Sequence, residues 1–293
     1  MSDDDSIEHA NNPKANMDHI YNQPDPRAYF SELHKLDYAT PGAGKPFFLK
    51  LIERLQRSRD KSVRVLDLGC SYGVNGALLK HDMTMPQLYE HWGQEWLQDV
   101  SPEEVMAYDR RFFGGREEQQ DFEVIGLDRA ERAVAFAEET GLIDDGVVAN
   151  LEEHPLSDAV MPDLADVDLM TSTGCIGYVT EKTFERLLPA VTNDGHAPWM
   201  ANFVLRLWSF EPIEETLSEW GYVTEKLQDR TFRQRRFVSD EEREQVLRRL
   251  REKGIDPSGK EAEGHLHTEF YLSRPADDIR QESLNTLLAR KSH

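Results

Sequence analysis

"VRVLDLGCSYGVNGALL", residues 63–79, runs an apolar segment into a turn of small residues and straight back into an apolar, helix-compatible segment. Asp67, Gly69 and Gly73 stand where a chain leaving a buried strand must bend tightly and let a ligand approach its backbone. The stretch therefore predicts a strand, a nucleotide-type loop and a helix whose first N–H groups, near Val74, face the ligand. A dinucleotide loop would carry glycine at 69, 71 and 74, but Ser71 and Val74 occupy two of those positions. The spacing disfavours a nicotinamide cofactor.

Working outward, short apolar strand candidates alternate with helical stretches from Ser62 onward: "VRVLDLG", "FEVIGLD", "GVVANLE", "VDLMTST", "WMANFVLR", "YVTEKL" and "HTEFYLS". Seven strands with helices between them predict an open α/β sheet. Two connections are too long for ordinary loops, residues 80–121 and 230–264, so each is expected to contain helices and to cover something. Residues 1–16 are polar and predict a disordered tail, and 17–61 form a helical extension with its own aromatics. The sheet domain spans 62–275, and 276–293 is a C-terminal tail.

Composition bounds the rest. The chain has 293 residues, is 39% hydrophobic, and carries 55 acidic against 34 basic residues for a net charge of −21, which would repel a phosphate backbone. Only "RTFRQRR", residues 230–236, gathers cations, and it also fits a solvated strand edge or turn. The two cysteines, Cys70 and Cys175, lack the spacing of a disulfide framework or a metal-ligand pair, so no metal is expected. No apolar run has membrane-spanning length, and the acidic start differs from a secretory signal. The expectation is a cytoplasmic enzyme with no membrane partner, a monomer or homodimer.

"VLDLGCSYG" resembles the first motif of class I S-adenosylmethionine (SAM)-dependent methyltransferases, a D/E-x-G-x-G-x-G loop, with Ser71 in place of the middle glycine. The resemblance covers roughly residues 62–275. It implies a Rossmann-like seven-stranded sheet, mostly parallel with the last strand antiparallel, helices on both faces, and SAM as cofactor. By that likeness the loop residues Asp67, Gly69, Cys70, Ser71 and Gly73 would wrap the amino-acid end of the cofactor. "VIGLDRA" would bring Asp128, with Arg129 beside it, to both ribose hydroxyls, since one carboxylate has two acceptor oxygens. "VVANLEE" would bring Asn150 to the adenine amine and Leu151 against its ring, and "DLMTSTGCIGYV" would set Thr171 and Ser172 beside the methionine moiety. Asp128 and Asn150 are each also ordinary turn residues, and it is four strand ends in the expected order that carry the reading.

SAM already makes methyl transfer favourable, so the protein must mainly align a nucleophile and exclude water. Candidate bases are His34, His196, His265, His267, Tyr21, Tyr29 and Tyr38, and no catalytic residue is assigned among them. "HIYNQPDPRAYFSELHKLDY" has the aromatic content of a lid over the cofactor, or of a helix packed on the back of the sheet. The fourth strand ends in "STGCIGY" instead of the D/N-P-P-Y/F of enzymes that methylate exposed base or glutamine nitrogens. With the acidity, this predicts no nucleic-acid partner and a small-molecule acceptor, O- or N-methylated, with secondary metabolism as one setting. Arg206, Arg233, Arg235 and Arg236 are candidates to hold an anionic acceptor, or form surface salt bridges. The alternatives are a catalytically silent SAM-fold binding protein and a nicotinamide-dependent reductase.

Overall fold

In a computed structural model the apolar run Val63–Leu68 is the central strand β1, buried at every position except Arg64. The structure describes residues 17–58, 61–116, 121–193 and 195–289; the tail expected at 1–16 lies outside them. All seven expected strands form. They are β1, β2 (Phe122–Asp128), β3 (Asp145–Val148), β4 (Leu169–Thr173), β5 (Trp199–Leu205), β6 (Tyr222–Lys226) and β8 (His265–Pro275). An eighth, β7 (Phe232–Arg236), comes from the arginine-rich run.

The sheet order is β3-β2-β1-β4-β5-β8-β6, with β7 pairing the first part of β8. Strands β1 to β5 are parallel, and β8 runs antiparallel between β5 and β6. The order reverses between β1 and β4, so their carboxyl ends open a crevice of the kind that binds ligands in α/β sheets. The register sets Asp67 opposite Gly126 on one side and Thr171 on the other.

Period-2 alternation divides the strands between two cores. Val65, Ala201, Phe203 and Phe270 face helix α2 (Thr40–Gln56), which contributes Phe47, Phe48, Leu51 and Ile52. Leu66, Ile125, Met170 and Met200 face the helices Glu181–Val191 and Glu211–Glu219, with Phe184, Leu187 and Leu217. Burying such side chains is the main stabilising force, about 1.5–3 kcal/mol for each large one.

The extension belongs to the first of these cores. Helix α1 (Arg27–Lys35) buries Tyr29, Phe30 and Leu33 on one stripe. Insertion 80–121 supplies the opposing surface through α4 (Met85–Trp92) and α5 (Pro102–Gly114), which follow α3 (Val74–Lys80). Both insertion helices start at capping boxes, Thr84 with Gln87 and Ser101 with Glu104, each with proline in the first turn. Phe30 stacks on Trp92 with ring centroids 4.1 Å apart, and His34 stacks on Tyr89 at 4.4 Å. The link from α1 to α2 then runs along β7: Arg236 N–H donates to the Leu36 carbonyl and Ala39 N–H to the Gln234 carbonyl, both at 2.7 Å. Among the described residues no helix is long and apolar enough to cross a membrane.

Candidate functional site at the carboxyl ends of the strands

Leaving β1, the backbone takes positive φ at Gly69 (74°), Ser71 (49°) and Gly73 (73°). At Gly69 the reason is also space, since a Cβ there would stand 2.7 Å from that of Cys175. Ser71 is the exception, because a side chain in the left-handed region is uncommon. Its conformation is held from the next strand, where Asp128 Oδ2 accepts the Ser71 N–H at 2.9 Å. The other oxygen of Asp128 accepts from Ala130 N–H at 3.0 Å, so each oxygen keeps a free lone pair for a further donor.

Asp67 is 1% exposed. Its Oδ1 accepts from Asn75 Nδ2 at 2.7 Å and from the Thr171 hydroxyl at 3.1 Å. Among the described residues its buried Oδ2 finds no hydrogen-bond partner, and neither does the buried Ser71 hydroxyl. Burial pushes the Asp67 carboxyl up to about 7; hydrogen bonds from Asn75 and Thr171 oppose the rise, and the Asp128 charge adds to it. Asn75 also donates to Thr173 Oγ1 at 3.1 Å, joining β1, α3 and β4 in one polar network.

The other candidates are distributed as follows. Thr171 shares the face of Asp67, whereas Ser172 turns to the opposite face and donates to Asn202 Oδ1 at 2.8 Å. Asn150 Oδ1 accepts from Glu152 N–H at 3.2 Å, an ordinary turn bond, and Leu151 is packed in the second core. Arg129 is exposed. Burial raises the Cys70 thiol well above its usual range and Cys175 to about 12, so both remain protonated near neutral pH.

The extension reaches this site directly. Tyr72, in the loop, accepts the Gln23 N–H at 2.7 Å and donates to the Gln23 carbonyl at 3.1 Å. Tyr29 packs edge-on against Tyr72 and Tyr21, and the Tyr38 hydroxyl donates to the Thr173 carbonyl at 2.9 Å. Burial first, and then neighbouring phenols, raise Tyr29 and Tyr38 well above the ordinary tyrosine range. Both are therefore hydrogen-bond donors at neutral pH and poor proton acceptors.

The histidines are scattered. His34 is exposed on α1. His196 bonds the Val167 carbonyl at 2.6 Å, next to the start of β4, and so sits at the opposite end of the sheet. His265 and His267 lie on β8 across from Arg236 and Arg233. Burial, with Arg206 and Arg233 nearby, pushes His267 down to about 4.

Of the arginines expected for an anionic acceptor, three have carboxylate partners. Arg206 pairs with Glu261 at 2.5 Å, Arg235 holds Glu242 through two nitrogens at 2.9 and 2.6 Å, and Arg236 pairs with Asp37 at 2.9 Å. Arg233 is exposed. Salt bridges thus account for three of the four, and Arg235 lies inside the protein instead of on a solvated edge. Sequence reasoning missed Asn75, Tyr72, Thr173 and Gln234. Asn75 had a usable signal, since it lies in the first turn of the helix that follows the loop. Among the described residues no group of three or more His, Cys, Asp or Glu is placed to hold a metal ion.

No family model matches the chain, and no curated protein matches it in sequence. Solved structures do resemble it. A TehB-like SAM-dependent methyltransferase from Corynebacterium glutamicum is 14% identical over 76% of this chain and 86% of its own, with a TM-score of 0.35. The plantazolicin methyltransferase BamL is 12% identical over 93% of this chain and 99% of its own, TM-score 0.42. A putative RNA methyltransferase from Pyrococcus horikoshii is 13% identical over 94% and 97%, TM-score 0.39. The strand order, with β8 antiparallel between β5 and β6, defines a Rossmann-like α/β fold. At these identities and TM-scores the likeness carries no argument about function, which rests on the site itself.

Proposed function

We propose that the chain is a SAM-dependent methyltransferase acting on a small-molecule acceptor, by O- or N-methylation, in the cytoplasm. The observation that carries this reading is the set of unfilled hydrogen-bonding capacities around one loop. Among the described residues Asp67 Oδ2 and the Ser71 hydroxyl are buried without partners, and the Asp128 carboxylate keeps a lone pair on each oxygen. These groups fit a ligand with an ammonium on its amino-acid end and a vicinal diol. SAM supplies an electrophilic methyl group on a sulfonium.

In this reading Asp128 accepts the ribose hydroxyls while its grip on Ser71 N–H shapes the loop. Asp67, with a pKa near 7, is poised to ionise beside positive charge. The extension contributes Tyr29 and Tyr38, which narrow the approach and exclude water. Among the described residues, burial raises the candidate bases that face the site, Tyr29 and Tyr38, well above the ordinary tyrosine range, which favours an acceptor that needs alignment more than deprotonation. Incubating the full chain with methyl-labelled SAM and a small-molecule cell extract should transfer label to a low-mass product and yield S-adenosylhomocysteine. Label appearing only in nucleic acid, or no turnover with any extract, would contradict the acceptor class.

A further inference from the structure

Three segments distant in sequence meet where β4 ends. Thr173 and Gly174 come from the strand, Tyr38 from the extension, and Gln234 from β7 in the second insertion. Tyr38 donates to the Thr173 carbonyl at 2.9 Å. A Cβ on Gly174 would lie 2.7 Å from Gln234 Nε2 and 3.8 Å from the Tyr38 hydroxyl. The Gln234 carboxamide is thus pressed against bare backbone one residue from Thr173, whose hydroxyl belongs to the Asp67–Asn75 network.

Gln234 is 1% exposed, and its Oε1 has no hydrogen-bond partner among the described residues. A buried, unpaired amide oxygen costs about 1–3 kcal/mol, which an apolar side chain of similar length would avoid. The cost is not forced by the strand. The Gln234 main chain is already held through its carbonyl by Ala39 N–H, and neighbouring Phe232 is apolar. The group that offsets the penalty is therefore expected to be a ligand.

Charge narrows its chemistry. Of the cations near this region, Arg206, Arg235 and Arg236 are tied to Glu261, Glu242 and Asp37, while Arg233 lies on the exposed side of the strand that buries Gln234. Burial holds His267 neutral at ordinary pH. A carboxylate or phosphate placed against Gln234 would find Arg206, Arg235 and Arg236 already paired and Arg233 on the exposed side of the strand, whereas an uncharged group would match the amide's one acceptor and its donors.

We infer that Gln234 is the specificity-determining residue of the methyl-acceptor subsite, and that it takes an uncharged group able both to donate and to accept a hydrogen bond, such as a carboxamide or an alcohol. This rests on the methyltransferase reading, because it places the acceptor beyond β4. Gln234 is a recognition residue and takes no part in bond making.

The test uses the full chain saturated with S-adenosylhomocysteine and three matched probe pairs: benzamide and benzoate, nicotinamide and nicotinate, salicylamide and salicylate. Ligand-observed NMR measures their dissociation constants. At least one amide should bind about tenfold or more tightly than its carboxylate. Gln234→Met should remove that preference while leaving S-adenosylhomocysteine affinity and the melting temperature near wild type. No preference in any pair, or a preference that survives Gln234→Met, overturns the inference. If Gln234→Met does not fold, the wild-type preference decides alone. Wild-type protein that fails to bind S-adenosylhomocysteine counts against the methyltransferase reading, and the probe pairs are then scored without it.

Discussion

Insertion 80–121 is held by packed aromatic rings around one buried carboxylate, whereas insertion 230–264 is held by buried arginine–carboxylate pairs. In the first, His91 and Trp92 both bond Asp109, at 2.6 and 2.8 Å, within a cluster that includes Tyr108, Phe112 and Phe113. In the second, Arg235 grips Glu242, which also accepts Val238 N–H, and Arg206 grips Glu261, over a small apolar cluster built on Leu205, Leu207, Val246, Leu250 and Leu266. The difference teaches where each insertion is replaceable. An aromatic cluster continuous with the main core gains from every contact, but a buried ion pair spends most of its attraction on desolvation.

The largest expected effect follows from that contrast. Arg235→Met alone should destabilise the protein by about 3–5 kcal/mol, because Glu242 is left buried and uncompensated, while Arg235→Met with Glu242→Met should return to within about 1 kcal/mol of wild type. Urea unfolding of the three proteins checks this; a double variant as unstable as the single would mean that the pair itself stabilises the insertion. Next in size, Asp109→Ala should cost about 2–3 kcal/mol by leaving the Trp92 indole and the His91 ring without their acceptor. A melting temperature unchanged by Asp109→Ala would break the view that insertion 80–121 belongs to the main core.

How much of this was legible in the sequence also divides along the comparison. The central strands β1, β2, β4 and β5 were readable because burial on both faces leaves continuous apolar runs, and the edge strands β3 and β6 because short apolar stretches stand between turn residues. Strand β7 was legible only as a solvated strand edge or turn, since Phe232 is its one buried apolar residue and Gln234 and Arg235 are buried polar ones that hydropathy cannot flag. Arg206, just past β5, reads in the sequence as either an anion holder or a salt-bridge residue, because its partner Glu261 lies in insertion 230–264 and no local pattern connects them. His196 is a question of register: it precedes β5 and so falls at the amino end of a parallel strand, away from the crevice. The positions of Asp67 and Asp128 followed from strand ends, but their coupling through Ser71 required the folded loop.

A smaller effect separates both insertions from the loop they flank. For a carboxyl pushed up to about 7, the contribution to stability is fully present below its unfolded pKa and is lost as pH rises through the folded value. Positive charge on a ligand favours the ionised form, so SAM affinity should rise severalfold between about pH 6 and pH 8. S-adenosylhomocysteine, which lacks the sulfonium, should respond less, and Asp67→Asn should flatten the profile. A SAM profile that is level across that range in the wild type would remove Asp67 from the site. The Arg235 and Glu242 pair of variants should leave the profile unchanged.

The central claim is that the crevice between β1 and β4 binds SAM through the loop and Asp128. Isothermal titration calorimetry of the full chain with S-adenosylhomocysteine, NADP and the Asp128→Ala variant tests it most directly. The account predicts micromolar binding of S-adenosylhomocysteine, negligible binding of NADP, and a loss of about 1.5–3 kcal/mol in Asp128→Ala as the charge-assisted bonds to the ribose disappear. NADP binding more tightly than S-adenosylhomocysteine, or an Asp128→Ala protein with an unchanged dissociation constant, would contradict it.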